Sequence, residues 1–138
     1  MLRPRAVLAA VVLASAATSG GLAACGGSDE YAVPEMPTKA AEAGQALARE
    51  RGCLSCHTES GRQSTGPTWK GLAGSEVELA SGQTVTADDD YLERSIVDPK
   101  AEVVAGFAPI MPTSYTDLTD DELSDLVAYL RALSPDAS

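Results

Sequence analysis

The chain has 138 residues, enough for one or at most two small domains, and its 20 acidic and 10 basic residues give a formal net charge of −10. This length excludes a large multidomain enzyme, and the acidic balance excludes a nucleic-acid-binding protein, which would need basic patches. Aromatic residues are only 4% of the chain, so we expect something other than side chains to help fill the core of so small a domain.

The first 24 residues predict a bacterial lipoprotein signal. Two arginines precede an uncharged run over residues 6–17, and a Leu-Ala-Ala sequence leads directly into Cys25. A basic start, a short apolar run and a small-residue site are typical of an exported leader. We expect cleavage before Cys25 and acylation of that residue, with palmitate as one acyl chain, which would hold the protein on the outer face of the cytoplasmic membrane. An uncleaved anchor is the alternative, although the run is short for a span of about 20 residues.

Residues 25–37 are predicted to be the lipidated cysteine and a flexible linker. Glycine, serine, acidic residues and two prolines follow one another there without a helical or strand period. Met36 lies in this stretch between an acid and a proline, and we expect it to be an ordinary linker residue. The globular domain is then predicted to occupy residues 38–138.

That domain is predicted to be all-α and small, with three or more short helices. In the first helix Thr38 is the cap, the end is near Glu50, and the apolar stripe contains Ala40, Gly44 and Leu47. Glycine at position 52 is expected to stop this helix.

Two further helices and a short hairpin follow along the chain. Thr86 or Asp88 is predicted to cap the second helix, which ends at the Asp-Pro pair of residues 98–99. Thr119 begins a capping box, and leucine and valine then recur at helical spacing through residue 130. Between the first two helices, alternating side chains at 77–79 and 84–86 around a Ser-Gly pair predict the hairpin.

Residues 53–57 read Cys-Leu-Ser-Cys-His, the attachment motif of c-type haem. Thiols at Cys53 and Cys56, three positions apart on a helical turn, would each form a thioether to one haem vinyl group. His57 would then be the proximal iron ligand. We therefore expect one covalent haem c.

Other functions of a C-x-x-C pair fit this sequence less well. A structural zinc site needs four ligands, but His57 is the only histidine and the third cysteine belongs to the predicted signal. A thioredoxin-like pair expects a βαβ context, which is missing. A disulfide between the two cysteines would close too small a loop to stabilise the fold much.

The second axial ligand is predicted to be Met111. It lies about fifty residues after the histidine and is followed by Pro112, which restrains the backbone. A His/Met pair is the ligation of cytochromes c. Ordinary core packing is the alternative for Met111, and three lysines are weaker rival ligands, namely Lys39, Lys70 and Lys100.

On these residues, the segment from about Thr38 to Ser134 resembles the class I cytochromes c. The C-x-x-C-H motif and Met111 match the haem-binding motif and distal methionine of that family. The resemblance implies that the carbonyl of Pro67 accepts the Nδ1–H of His57. It also implies that Gly44 lets the first and last helices cross closely, with Tyr129 packed at the crossing. Leu47 stands where the family usually has an aromatic residue.

Within that family, the chain looks most like the cytochrome c domain fused to subunit II of bacterial haem-copper oxidases. The sequence has no pair of transmembrane helices and no copper-binding cupredoxin sequence. The resemblance therefore implies a free-standing, lipid-tethered relative of that domain.

The expected function is one-electron transfer rather than catalysis. With both axial positions filled, no site is free for oxygen or peroxide, and the expected partners are redox proteins: a quinol-oxidising complex or dehydrogenase as donor and a terminal oxidase or reductase as acceptor. The alternatives are a haem-based redox or gas sensor, a haem peroxidase, or the electron-entry subunit of a larger oxidoreductase complex. A di-haem peroxidase would need two C-x-x-C-H motifs, and this chain has one.

Two acidic clusters have two possible explanations. They are helix caps on a solvated face, or they form a negative docking surface for a basic partner. The clusters are Asp88, Asp89 and Asp90, and Asp117, Asp120, Asp121, Glu122 and Asp125.

Overall fold

The structure is a computed structural model that describes residues 35–134. The predicted signal, the acylated Cys25 and most of the predicted linker lie outside the described residues and stay predictions. Within 35–134, no helix combines the length and the apolar character needed to cross a membrane.

The described chain forms three helices and a two-stranded sheet, which confirms the predicted plan. The helices are α1, Lys39–Glu50, α2, Asp89–Val97, and α3, Asp120–Ala132. Strands β1, Glu76–Glu78, and β2, Thr84–Thr86, pair antiparallel, with Val77 opposite Val85. A single 3₁₀ turn, Cys53–Ser55, follows α1.

Each helix begins at a side chain that accepts a hydrogen bond from the first turn. Thr38 caps α1 by accepting from the amide of Ala41 at 3.1 Å. Asp88 rather than Thr86 caps α2, because Thr86 belongs to β2. The predicted capping box of α3 is present in both directions, between Thr119 and Glu122. Such caps satisfy amides that otherwise lack a partner at a helix start.

Helices α1 and α3 cross with almost no space between their backbones. A Cβ added to Gly44 would lie 1.9 Å from the carbonyl oxygen of Asp125, so only glycine allows this approach. The buried face of α1 is Ala41, Gly44 and Ala48. The predicted stripe is therefore right at Gly44 but wrong at Ala40, which is only partly buried, because the helix faces α3 one residue further round.

Met36 is buried, and the prediction that it is an ordinary linker residue is wrong. Its side chain is 8% exposed and belongs to the hydrophobic core. The largest side chains of that core that are almost fully buried are Tyr129, Leu92 and Leu133. Tyr129 is thus buried on α3, as the resemblance implied, while Leu47 packs only partly buried against the core.

The hairpin fixes the start of the long segment that leads from α2 to α3. The amide of Ala80 donates to the carbonyl of Val103, and the amide of Ala105 donates to the carbonyl of Glu78, both at 2.8 Å. These two bonds hold residues 103–105 against the sheet, six residues before Met111. The fold thereby directs that segment toward the segment that carries the C-x-x-C-H motif.

Candidate haem-binding site

A large apolar cavity lies between the segment after α1 and the segment between α2 and α3. Its empty volume is about 1400 Å³, counting the open solvent at its mouth. Every residue of the domain that the sequence predicts to bind the cofactor lines it: Cys53, Cys56, His57, Pro67 and Met111.

The end of α1 shapes the attachment motif. Gly52 adopts a left-handed conformation, with φ of 74°, which glycine tolerates and which ends the helix. The 3₁₀ turn follows, and the amides of Cys56 and His57 both donate to the carbonyl of Cys53, at 3.2 and 3.1 Å. No disulfide joins Cys53 and Cys56, so both sulfurs are available for thioether bonds. Burial raises the pKa of the Cys53 thiol, so that group stays protonated and uncharged in the apolar wall.

The ring of His57 is oriented by one backbone acceptor. Its Nδ1 lies 2.8 Å from the carbonyl oxygen of Pro67, and because a carbonyl only accepts, Nδ1 carries the proton. The other ring nitrogen, Nε2, is then left as an acceptor or metal ligand. Burial lowers the pKa of His57, which favours the neutral ring that binds metals. The contact that the resemblance implied for Pro67 is present.

Two neighbours hold the same ring from its faces. A Cβ added to Gly66 would lie 2.7 Å from Cε1 of His57, so the glycine makes room for the ring. The indole of Trp69 stacks on the imidazole with ring centroids 4.8 Å apart, and Tyr129 meets the indole edge-on at 5.8 Å. The phenol of Tyr129 donates to a carboxylate oxygen of Glu59.

Met111 is on the cavity wall, half-buried, within the segment that joins α2 to α3. The residue before it, Ile110, is 62% exposed. None of the three lysines considered as rival ligands is among the described residues that line the cavity. The structure therefore brings Met111 and His57 to one cavity from segments more than fifty residues apart in the chain.

The cavity is chemically suited to a haem. Its walls are mainly apolar, its two thiols stand beside a histidine with an available Nε2, and one buried hydroxyl lacks a partner. That hydroxyl, Oγ of Ser95 on α2, is the one buried side-chain polar atom within residues 35–134 without a hydrogen-bond partner. Such a group is costly unless it finds a partner, and the phenol of Tyr91 on the same cavity wall is within its reach. The thiols could form thioether bonds to a haem, and Nε2 of His57 could bind its iron.

Several of the clustered acids serve the fold. Asp88 caps α2, and Glu122 completes the capping box of α3. Asp89 pairs with Arg131 at 3.0 Å, and Asp117 pairs with Arg51 at the same distance. Three others are exposed in the structure, namely Asp90, Asp120 and Asp121.

Sequence reasoning missed four side chains of the site: Arg51, Trp69, Ser95 and Tyr115. Trp69 is the only tryptophan of the chain and lies two residues after Pro67, which is the one signal that could have drawn attention to it. The other three are on the cavity wall for reasons of tertiary packing, and no motif marks them.

Comparison with known proteins places these residues in a family. The sequence model of the family described as Cytochrome c matches residues 41–134. Comparison with curated proteins gives no match. Among solved structures, the chain is similar to cytochrome cH from Methylobacterium extorquens, with 27% identity over 66% of this chain and 96% of that chain and a TM-score of 0.47.

Proposed function

Since the chain belongs to the cytochrome c family, we propose that it is an electron carrier with His57 and Met111 as axial haem ligands, tethered by lipid to the outer face of the bacterial cytoplasmic membrane. Family membership makes it a haem-based electron-transfer protein with covalent haem c. The axial pair, the tether and the partners are the proposal. The observation that carries it is the single cavity lined by Cys53, Cys56, His57 and Met111.

The residues on the attachment side hold and orient the cofactor. When bound, haem c supplies one-electron chemistry by cycling between Fe(II) and Fe(III). Cys53 and Cys56 fix its position covalently. Pro67 holds the Nδ1 proton of His57 at 2.8 Å, which sets the ring orientation and makes Nε2 a better donor to iron.

Met111 is the residue best placed to complete the coordination. It lines the cavity half-buried, and Pro112 restricts the backbone directly behind it. A thioether ligand raises the reduction potential and excludes small ligands from the iron. This arrangement favours electron transfer over oxygen or peroxide chemistry.

The tether is supported by the sequence alone. Two acyl chains on Cys25 would anchor the protein stably, whereas one gives only marginal binding. The linker before the helical domain would let the haem domain move between a donor and an acceptor. We propose a quinol-oxidising complex or a dehydrogenase as donor and a terminal oxidase or another reductase as acceptor.

A spectrum of the purified ferric protein tests the axial pair. We expect a low-spin haem with the weak red charge-transfer band of methionine–iron ligation. Met111→Leu should lose that band, whereas Met36→Leu should keep it, because Met36 is in the core and is not among the described residues that line the cavity. A high-spin wild-type spectrum would overturn the carrier proposal in favour of a sensor or an enzyme.

Cell fractionation tests the tether independently of the spectrum. The covalent haem is a visible label, so it reports where the domain is after membranes are separated from soluble proteins. We expect the haem signal in the membrane fraction and, by mass spectrometry, a haem protein that begins at an acylated Cys25. A membrane-bound haem protein that retains residues 1–24 would show an uncleaved anchor and contradict lipid anchoring.

A further inference from the structure

The backbone after Met111 is held by very few hydrogen bonds. Between Met111 and the start of α3, the described chain makes one backbone–backbone bond, from the amide of Leu118 to the carbonyl of Tyr115 at 3.4 Å. Segments with few backbone bonds and exposed side chains open locally at low free-energy cost. Residues 112–118, which we name the methionine segment, therefore need side-chain contacts to stay closed.

Those contacts converge on one residue at the end of α1. Nη1 of Arg51 lies 3.0 Å from Oδ2 of Asp117, and Nη2 lies 4.0 Å from Oε1 of Glu122. The phenol of Tyr115 donates to the backbone carbonyl of Arg51 at 3.5 Å. Arg51 thus meets the methionine segment twice and α3 once, and it stands two residues before Cys53.

Tyr115 joins this contact to the haem site. Its side chain lines the cavity, and its phenol interacts with the Cys53 thiol. Burial raises the pKa of Tyr115, so its phenol stays protonated and able to donate. A rotation of the methionine segment away from Arg51 would therefore also withdraw Tyr115 from the attachment turn.

We infer that Arg51 is a positioning residue that holds the methionine segment closed and so keeps Met111 on the iron, making the sixth coordination position sensitive to salt. The inference rests on the proposed ligation by Met111. Arg51 also lines the cavity, but its ion pairs are with Asp117 and Glu122 rather than with the methionine. The side chain of Arg51 acts through Asp117, six residues beyond Met111, while its backbone carbonyl accepts from Tyr115, four residues beyond Met111.

The size of the effect follows from the exposure of the pair. The side chain of Asp117 is 62% exposed, and exposed ion pairs change an equilibrium by only about two- to fivefold. Salt screens such pairs strongly, because the Debye length falls to about 3 Å at 1 M ionic strength. The expected effect is thus modest at low salt and close to zero at high salt.

Titration of the ferric holoprotein with imidazole measures the opening directly. Imidazole binds the iron only when Met111 has left, so its apparent affinity scales with the fraction of open protein. We expect Arg51→Ala and Asp117→Asn to raise that affinity about two- to fivefold at low salt, and Arg51→Lys to stay close to wild type. In 1 M NaCl the three variants and the wild type should converge.

The chain offers a matched control for this experiment. Arg131 pairs with Asp89 at the same 3.0 Å distance, with both side chains about half exposed, but joins α3 to α2 away from the methionine segment. Arg131→Ala should leave the imidazole affinity unchanged. The double variant Arg51→Ala/Asp117→Asn should show no more than the effect of either single change, because both remove one contact.

The outcomes distinguish failure of the Arg51 inference from failure of the proposed Met111 ligation. If Arg51→Ala and Arg131→Ala behave alike, or if the variant effects persist in 1 M NaCl, Arg51 does not position Met111 through this ion pair. If the wild type lacks the red methionine band and binds imidazole as an open iron would, the proposed ligation itself fails. Urea unfolding followed by circular dichroism separates local opening from global destabilisation, and Asp117→Asn carries the test should Arg51→Ala fold poorly.

Discussion

The two walls of the cavity are built in different ways. On the attachment wall, residues 53–69, the chain closes on itself: the amide of Gly66 donates to Cys56, the amide of Trp69 donates to Thr58, and Nδ1 of His57 donates to Pro67, each at 2.8 Å. On the methionine wall, residues 105–118 rely on a few backbone bonds and on side chains such as Tyr115 that reach Arg51.

This difference separates a ligand that is fixed by the chain from one that depends on its surroundings. The ring of His57 has its orientation set by Pro67, by the space at Gly66 and by stacking on Trp69. Met111 has no comparable set of contacts of its own backbone. We therefore expect changes on the attachment wall to cost global stability, and changes on the methionine wall to alter local opening.

The largest expected effect comes from removing the attachment itself. Cys53→Ala/Cys56→Ala should carry no covalent haem, which is measured by haem staining after denaturing electrophoresis. Without the haem the apolar walls of the cavity lose their contacts with the cofactor. Exposing only a few buried apolar side chains, at about 1.5–3 kcal/mol each, approaches the whole stability of a small domain, about 5–15 kcal/mol. We expect loss of cooperative unfolding. A compact apoprotein that unfolds cooperatively would show that both walls remain folded without the cofactor.

Truncating one aromatic residue on each wall compares the walls directly. Trp69 is 8% exposed and touches both His57 and Tyr129, so Trp69→Ala should cost about 3–5 kcal/mol in urea unfolding of the holoprotein. Phe107 is only partly buried, so Phe107→Ala should cost less than about 2 kcal/mol. Equal losses would remove the distinction between the walls.

Features that depend on neighbouring residues in the chain were predictable from the sequence, whereas contacts between distant segments were not. The helices, their caps at Thr38 and Thr119, the hairpin and the C-x-x-C-H motif depend on residues close together in the chain, and they were predicted. The contact of Pro67 with His57 was available only through resemblance to a family. Asp117 lies 66 residues from Arg51 in the chain, and no local sequence pattern predicts an ion pair between residues so far apart.

Two errors have the same physical origin. Met36 lies in a stretch whose prolines, acids and glycines predict a linker, yet its side chain is buried in the core, because burial is decided by what packs against it. The buried stripe of α1 contains Ala41 rather than Ala40 and Ala48 rather than Leu47, since alanines occur all round this helix and only the crossing with α3 selects the buried ones.

Glycine-to-alanine changes compare the two walls again, with smaller expected losses of stability. In Gly66→Ala the new Cβ would lie 2.7 Å from Cε1 and 2.9 Å from Nδ1 of His57. The ring must move, and we expect a loss of about 1–3 kcal/mol with a shifted reduction potential. Gly106, on the methionine wall, has no atom within 4 Å of an added Cβ but has φ of +82°. Gly106→Ala should cost only about 1 kcal/mol of backbone strain and leave the potential unchanged.

The smallest expected effect is a pH dependence confined to the methionine wall. The hydrogen bond from Arg51 holds the pKa of the Asp117 carboxyl below its ordinary range. Because that pKa is depressed in the folded protein, its stabilisation is fully present above the ordinary carboxyl pKa of about 4 and is lost as the pH falls through the lowered value. Glu122 and Glu50 also face Arg51, and bonds from Thr119 lower the pKa of Glu122.

Asp117→Asn isolates this contribution from those neighbours, because every other titrating group is common to both proteins. In urea, which does not screen charge, the midpoint of the wild type should exceed that of Asp117→Asn at pH 6, and the difference should be smaller at pH 3. A difference that is equal at both pH values would mean that Asp117 acts through packing rather than charge. A midpoint difference that depends on pH would thus show that the charge of Asp117, through its exposed ion pair with Arg51, stabilises the methionine wall.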